Sequence, residues 1–269
     1  RFTAALRGDT GVRHIIAVDP ASESDNFSIV VLAIHKDHRR VVYAWTTRKK
    51  LHQKRVKAGS TTEKNFYAYV ARKIRQVLAA FPSERLVMDA QGGGRAVEEA
   101  LHDEEKLEEG ELPIWQTIDP DPKARKDSDG RKGLHILEMV QFANAAWVAE
   151  ANHGMKKDME DQVLLFPDVD VPLLGLSKEM DAQERKTFDT FEDCTLEIEA
   201  LKAELTTIVW TETEGGRERW DTPAIKGEAN KGVKLRKDRY SALLMANMTA
   251  RTLARARGDV EYHAAGGWA

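Results

Sequence analysis

RHIIAVD, residues 13–19, decides the fold: an apolar run that ends abruptly on an acid. A strand of this kind emerges from a core and delivers its last side chain to the edge of a sheet, where α/β folds place their sites. A polar turn over residues 20–26 follows. Two further β-rich runs come next, FSIVVLAI (27–34) and RVVYAWT (40–46), with the polar turn HKDH (35–38) between them. Connections this short favour antiparallel neighbours, so the three runs predict a meander.

Outward from there the period changes. Over residues 62–81, Phe66, Val70, Ile74, Val77, Leu78 and Phe81 fall near one face of a helix, with Thr61 or Thr62 as its cap and Pro82 as its stop. RLVMD (85–89) is a short buried strand reached through that helix, which implies a right-handed crossover and a parallel neighbour. Gly92–Gly94 turn the chain into a helix over 96–102, and LPIWQTI (112–118) predicts a fifth strand. A charged loop (119–132) leads to a predicted helix over 134–151. Residues 155–187 read as irregular, broken by Pro167, Pro172 and Gly175. A helical stretch over 190–202 precedes ELTTIVWTETEGGRERW (204–220), which reads as a β-hairpin turning at Gly215-Gly216. A loop rich in Gly, Lys and Asn (224–237) opens onto a final helix from Asp238 to about Arg257. No internal repeat is visible. The chain therefore reads as one domain, residues 1–269, with a hairpin inserted at about 204–222.

Composition narrows the function classes. The chain has 269 residues and 42% hydrophobic content, enough for one large α/β core. Charge is nearly balanced at −3, so a nucleic-acid partner has to be argued from local clusters. The single cysteine, Cys194, excludes an internal disulfide framework and a cysteine-based zinc site, and suits a reducing cytoplasm. No apolar run approaches the length of a membrane span, and no signal peptide opens the chain. It begins at Arg1 rather than Met, as a fragment would, and it contains no GxxxxGK[ST] phosphate loop.

The chemistry falls to three aspartates. Asp19 closes the first strand, Asp89 closes the fourth, and Asp238 opens the last helix. If the first and fourth strands are parallel neighbours, both carboxylates leave at one sheet edge, and a helix starting there adds the third. Taken singly, each has an ordinary structural reading: aspartate ends strands as a turn former and sits well at a helix N-terminus. Three converging carboxylates repel one another unless a cation neutralises them. Carboxylate ligands suit Mg²⁺ or Mn²⁺, and two such ions about 3.5–4 Å apart can activate water and stabilise the leaving oxygen of a phosphodiester. In that arrangement Asp19 bridges both ions, and Asp89 and Asp238 each hold one.

The order strand-acid, meander, helix, strand-acid, helix-acid resembles the RNase H-like superfamily of nucleases. Within it, IIAVDPA (15–21), LVMDAQGGG (86–94) and KLRKDRYSALLMAN (234–247) are similar to segments of the C-terminal nuclease domain of tailed-phage large terminases. Residues 120–205 match by position more than by motif. The resemblance implies an α/β fold: a mixed five-stranded sheet, its first three strands antiparallel, flanked by helices and carrying an inserted hairpin. It implies cutting of concatemeric viral DNA during genome packaging in the cytoplasm of an infected bacterium. It also implies double-stranded DNA, a small terminase subunit and a portal protein as partners, and a P-loop ATPase domain preceding this one in the full-length protein. Some relatives carry an extra acid or histidine beside the last aspartate. Here the neighbours are Leu235, Arg236, Lys237 and Arg239, and Asp25 is the candidate substitute.

Basic clusters supply the candidate DNA contacts. Lys231, Lys234, Arg236, Lys237 and Arg239 lie beside the third acid, and Arg217 and Arg219 on the hairpin extend that surface. A second group, Arg48, Lys49, Lys50, Lys54, Arg55 and Lys57, follows the third strand and reads as a solvated face. Trp210 and Trp220, at matching places on the hairpin, read as a packing pair, and the histidines have no metal-ligand spacing. A junction resolvase or RNA–DNA hybrid nuclease would use a similar triad, and a degenerate domain would retain the acids as remnants of a docking module.

Overall fold

A computed structural model describes residues 1–20, 25–184, 189–223 and 235–258. The meander forms as expected, with β1 (Arg13–Asp19), β2 (Phe27–Ile34) and β3 (Arg39–Thr47) antiparallel in turn. A helix, α1 (Lys49–Lys57), then precedes α2 (Phe66–Ala80). The start of α2 is set by Asn65 rather than Thr61 or Thr62. Its side chain accepts the backbone N–H groups of Tyr67 and Ala68 at 2.8 and 3.2 Å. β4 (Ser83–Asp89) returns parallel to β1, as the crossover implies. After it come α3 (Gly94–His102) and β5 (Ile114–Gln116), which keeps only the middle of the predicted fifth strand.

The predicted helix over 134–151 is the main correction. Its first part is a strand, β6 (Leu134–Val140), lying between β4 and β5, and only its second part enters a helix, α4 (Ala145–Glu160). Apolar residues at 134, 136, 137, 139 and 140 satisfy either period. Pairing with β4 and β5 decides it, and Asn144 starts the helix by accepting the Trp147 backbone N–H. The stretch read as irregular holds the end of α4, a two-residue strand β7 (Leu164–Leu165) and α5 (Val171–Glu184). Pro172 does not break α5 because it sits in the first turn, where its missing N–H has no partner to lose.

Next, α6 (Phe191–Thr207) runs further than expected, so the hairpin strands β8 (Val209–Glu212) and β9 (Glu218–Asp221) begin later. The last helix, α7 (Asp238–Arg257), has the predicted bounds. The main sheet thus has seven strands rather than five, in the order β5-β6-β4-β1-β2-β3-β7.

Alternation along the strands sorts the two faces. Phe27, Tyr43 and Trp45 meet Phe66, Phe81 and Tyr69 of α2 and its C-terminal end. The other face, with small residues such as Ala17 and Ala44, receives α7. Every residue of α7 from Tyr240 to Arg251 is buried, because the sheet, α4 and α6 enclose it. That enclosure fixes the height at which Asp238 meets the sheet.

Candidate functional site

The last paired residues of the parallel strands are Val18 and Met88, so Asp19 and Asp89 leave the sheet side by side. Asp89 is held by the turn that follows. Its carboxylate accepts the Gln91 backbone N–H at 3.1 Å. A Cβ on Gly94 would stand 2.0 Å from the Asp89 carbonyl oxygen, so the helix after this strand can approach so closely only because that residue is glycine.

Asp238 is the first residue of α7, and one turn on, Ser241 lies on the same side of the helix. The Ser241 hydroxyl donates to Asp19, and the Asn26 backbone N–H donates to Asp238. The three sequence-predicted acids therefore come from β1, β4 and α7 to one edge. Asp25 joins them: its carboxylate and that of Asp238 both lie 3.8 Å from the Arg236 guanidinium.

The electrostatics are those of an unneutralised acidic site. Burial pushes the Asp19 carboxyl well above the usual carboxylate range, and repulsion from Asp238, Asp89 and Asp25 adds to it against the Ser241 hydrogen bond. Asp238 is raised by burial and then by Glu204, with Arg236 opposing. Asp89 is raised by burial, with the backbone N–H groups of Gln91 and Ala90 opposing. One oxygen, Asp238 Oδ2, is buried and accepts no hydrogen bond.

Among the described residues no three acid, histidine or cysteine side chains form a ready-made metal cluster. The donor chemistry nevertheless fits a hard divalent cation. All donors are carboxylate oxygens, their charges repel, and one buried oxygen has no hydrogen-bond partner.

The predicted basic residues divide into three groups. Arg239 turns inward, its guanidinium held by Glu197 at 2.7 Å and Glu204 at 2.6 Å. Lys237 and Arg219 both pair with Asp221, at 3.0 and 2.8 Å, and Arg217 is exposed at the hairpin turn. Lys231 and Lys234 lie outside the described residues. Between the hairpin, α4 and the start of α7 is a cleft of about 410 Å³ whose lining includes Arg217, Arg219, Lys237 and Ser241. Trp210 stands across the register from Trp220, whose indole packs edge-on against His153 of α4.

Sequence reading missed Ser241 and Glu204. Spacing was the available signal for Ser241, three residues after Asp238. Nothing local marked Glu204, which reaches the site from α6 and accepts the Tyr240 backbone N–H at 3.0 Å.

No protein-family model matches the sequence, and no curated protein is significantly similar to it. Solved structures do match. The large terminase nuclease from thermophilic phage G20c aligns with a TM-score of 0.52 over 91% of this chain and 90% of that chain, at 10% identity. The chain has the fold of a large-terminase nuclease domain. The magnesium-bound form of the G20c nuclease matches equally, at a TM-score of 0.52. The HK97 bacteriophage large terminase matches with a TM-score of 0.50 and 10% identity over 92% of this chain, which spans 41% of that protein. Among the described residues no helix is long and apolar enough to cross a membrane.

Proposed function

We propose that the chain is a metal-dependent DNA endonuclease domain that cuts concatemeric viral DNA during genome packaging. The observation carrying this reading is the set of three carboxylates from β1, β4 and α7, raised by burial and, at Asp19, by the other two acids, with a buried oxygen lacking a hydrogen-bond partner. The fold shared with a magnesium-bound terminase nuclease supports it. Asp19, central to the repulsion, would hold the metal together with Asp89 and Asp238. Bound Mg²⁺ or Mn²⁺ would supply an activated water and stabilise the leaving oxygen of the phosphodiester.

The chain's own residues do the positioning. Ser241 favours the ionised form of Asp19, Gly94 lets the turn close on Asp89, and Arg236 screens Asp238 from Asp25. Lys237, Arg217 and Arg219 line the cleft beside Ser241 and would meet backbone phosphates, giving affinity without sequence preference. A small terminase subunit, a portal protein and the cytoplasm of the infected host belong to the same reading.

Plasmid cleavage in Mg²⁺ or Mn²⁺ tests it, with Asp238→Asn as the probe. Loss of a ligand's orienting neighbour typically costs 10- to 100-fold, so loss of a ligand is expected to cost at least about 100-fold. Full activity in the variant would sink the metal assignment. Preference for a four-way junction or an RNA–DNA hybrid over linear duplex would move the substrate away from packaging.

A further inference from the structure

We infer that α1 is a second phosphate-binding surface, which holds the flank of the same DNA duplex whose cutting is proposed above. It rests on that reading for its ligand, and on its own observations for its place.

α1 reads KKLHQKRVK and, with Arg48 before it, carries six cations and no acid. Its first-turn charges are arranged against its own stability, although Lys54, Arg55 and Lys57 suit the last turn. Lys49 and Lys50 stand in the first turn, at the positive end of the helix dipole, and no side chain caps that end. Lys50, Lys54 and Lys57 follow at i, i+4 and i+7, so like charges share one exposed face. Arg48, Lys50, Lys54 and Lys57 form no ion pair among the described residues, although acids are abundant elsewhere in the chain.

The helix is nonetheless firmly seated. His52 is buried, bonds the Glu63 carbonyl at 2.8 Å and packs against the rings of Phe66 and Tyr69, while Arg55 donates to the Tyr69 hydroxyl at 2.6 Å. A rigid helix that keeps an uncompensated cationic face departs from local consistency in the way functional surfaces do.

Its location supplies the occupant. Asp19 pairs with Ser28, Ser28 with Thr46, and Phe27 with Thr47, the residue before Arg48. The basic helix therefore springs from the sheet edge that carries Asp19, two strands away, or about 10 Å at the usual spacing. At 1.5 Å per residue α1 is about 13 Å long. That spans roughly four phosphates of one strand at about 3.4 Å each. The hairpin cations line a cleft at the other flank of the acids, so a duplex lying along this edge would be gripped on both sides of the cut.

The test is binding of a fluorescent 30-bp duplex by the whole chain in EDTA, across a salt series. Each phosphate contact contributes about 0.9 to the slope of log K against log salt. Lys50→Gln/Lys54→Gln/Lys57→Gln is expected to lower that slope by about 2–3, and the corresponding triple arginine variant to restore it. Removing like-charge repulsion should leave the melting temperature of the glutamine variant at or above the parent's. Should the triple variant fail to fold, Lys54→Gln alone should lower the slope by about 0.9. An unchanged slope in a variant that folds would overturn the inference while leaving the Asp238 cleavage result untouched. So would equally tight binding of poly-glutamate, which would mark an acidic protein partner. A parent chain that binds no duplex would overturn this inference together with the nuclease reading. Cleavage surviving Asp238→Asn would remove the metal assignment alone.

Discussion

The two halves of α7 face buried acids under opposite conditions. Toward its C-terminal half, Asp158 of α4 is fully enclosed and fully answered. Arg39 of β3 donates to it at 2.7 Å, Asn247 donates to it at 2.8 Å, and Arg251 pairs with its other oxygen. At the N-terminal end, Asp19 and Asp238 face each other with one serine hydroxyl, one backbone N–H and a guanidinium 3.8 Å away. The same helix therefore packs beside one acid that its neighbours neutralise and brings another to a site where they do not. Partners make the difference: a carboxylate supplied with donors holds elements together, and one left facing other carboxylates has its titration pushed up.

Three variants would break or sharpen that contrast. The largest effect is expected at the structural acid. Asp158→Ala strands two arginines in the interior, and breaking a buried pair in this way costs about 3–5 kcal/mol. Denaturant unfolding measures it, and a loss below about 1 kcal/mol would erase the distinction.

Asp19→Asn should go the other way. Its folded carboxyl titrates well above the unfolded one, so the native state is penalised increasingly as pH rises from the unfolded value through the folded one. Without metal at neutral pH the variant is expected to melt a few degrees higher than the parent, the scale of about 1 kcal/mol in a chain of this size. The gain should vanish in acid, where both states of the parent are protonated. Added Mn²⁺ should raise the melting temperature of the parent and leave the variant unmoved; a metal response in both would place the ion elsewhere.

The smallest effect belongs to Ser241→Ala. It removes the hydrogen bond that favours ionised Asp19, so the acid limb of the pH–rate profile for cleavage should move to higher pH while the plateau rate changes little. A profile that stays in place would mean that the serine only packs.

Much of this was legible in one dimension. The meander, the crossover to β4, the bounds of α7 and the placement of three acids at element ends all follow from strong local signals: continuous β-rich apolar runs, a long amphipathic helix, and acids where those elements stop or start. The failures share a cause. LHILEMV at 134–140 satisfies both periods, and its pairing with β4 and β5 lies far off in sequence. Pro172 looked like a breaker because its tolerance depends on where a helix starts. The basic run of 48–57 looked like an ordinary solvated face. What makes it unusual is that Arg48, Lys50, Lys54 and Lys57 form no ion pair among the described residues and that the helix shares the sheet edge of Asp19, and neither is a property of the segment itself.

The sequence by itself determined which acids stand at the ends of β1, β4 and α7, because local propensity sets where a strand or helix stops. Only the tertiary structure decided that these acids converge, that Ser241 and Glu204 join them, that Arg239 turns inward and that Asp158 is neutralised. Repulsion, desolvation and pairing act over a few ångströms between residues tens to hundreds of positions apart, and only the packed sheet and helix bring them within that range.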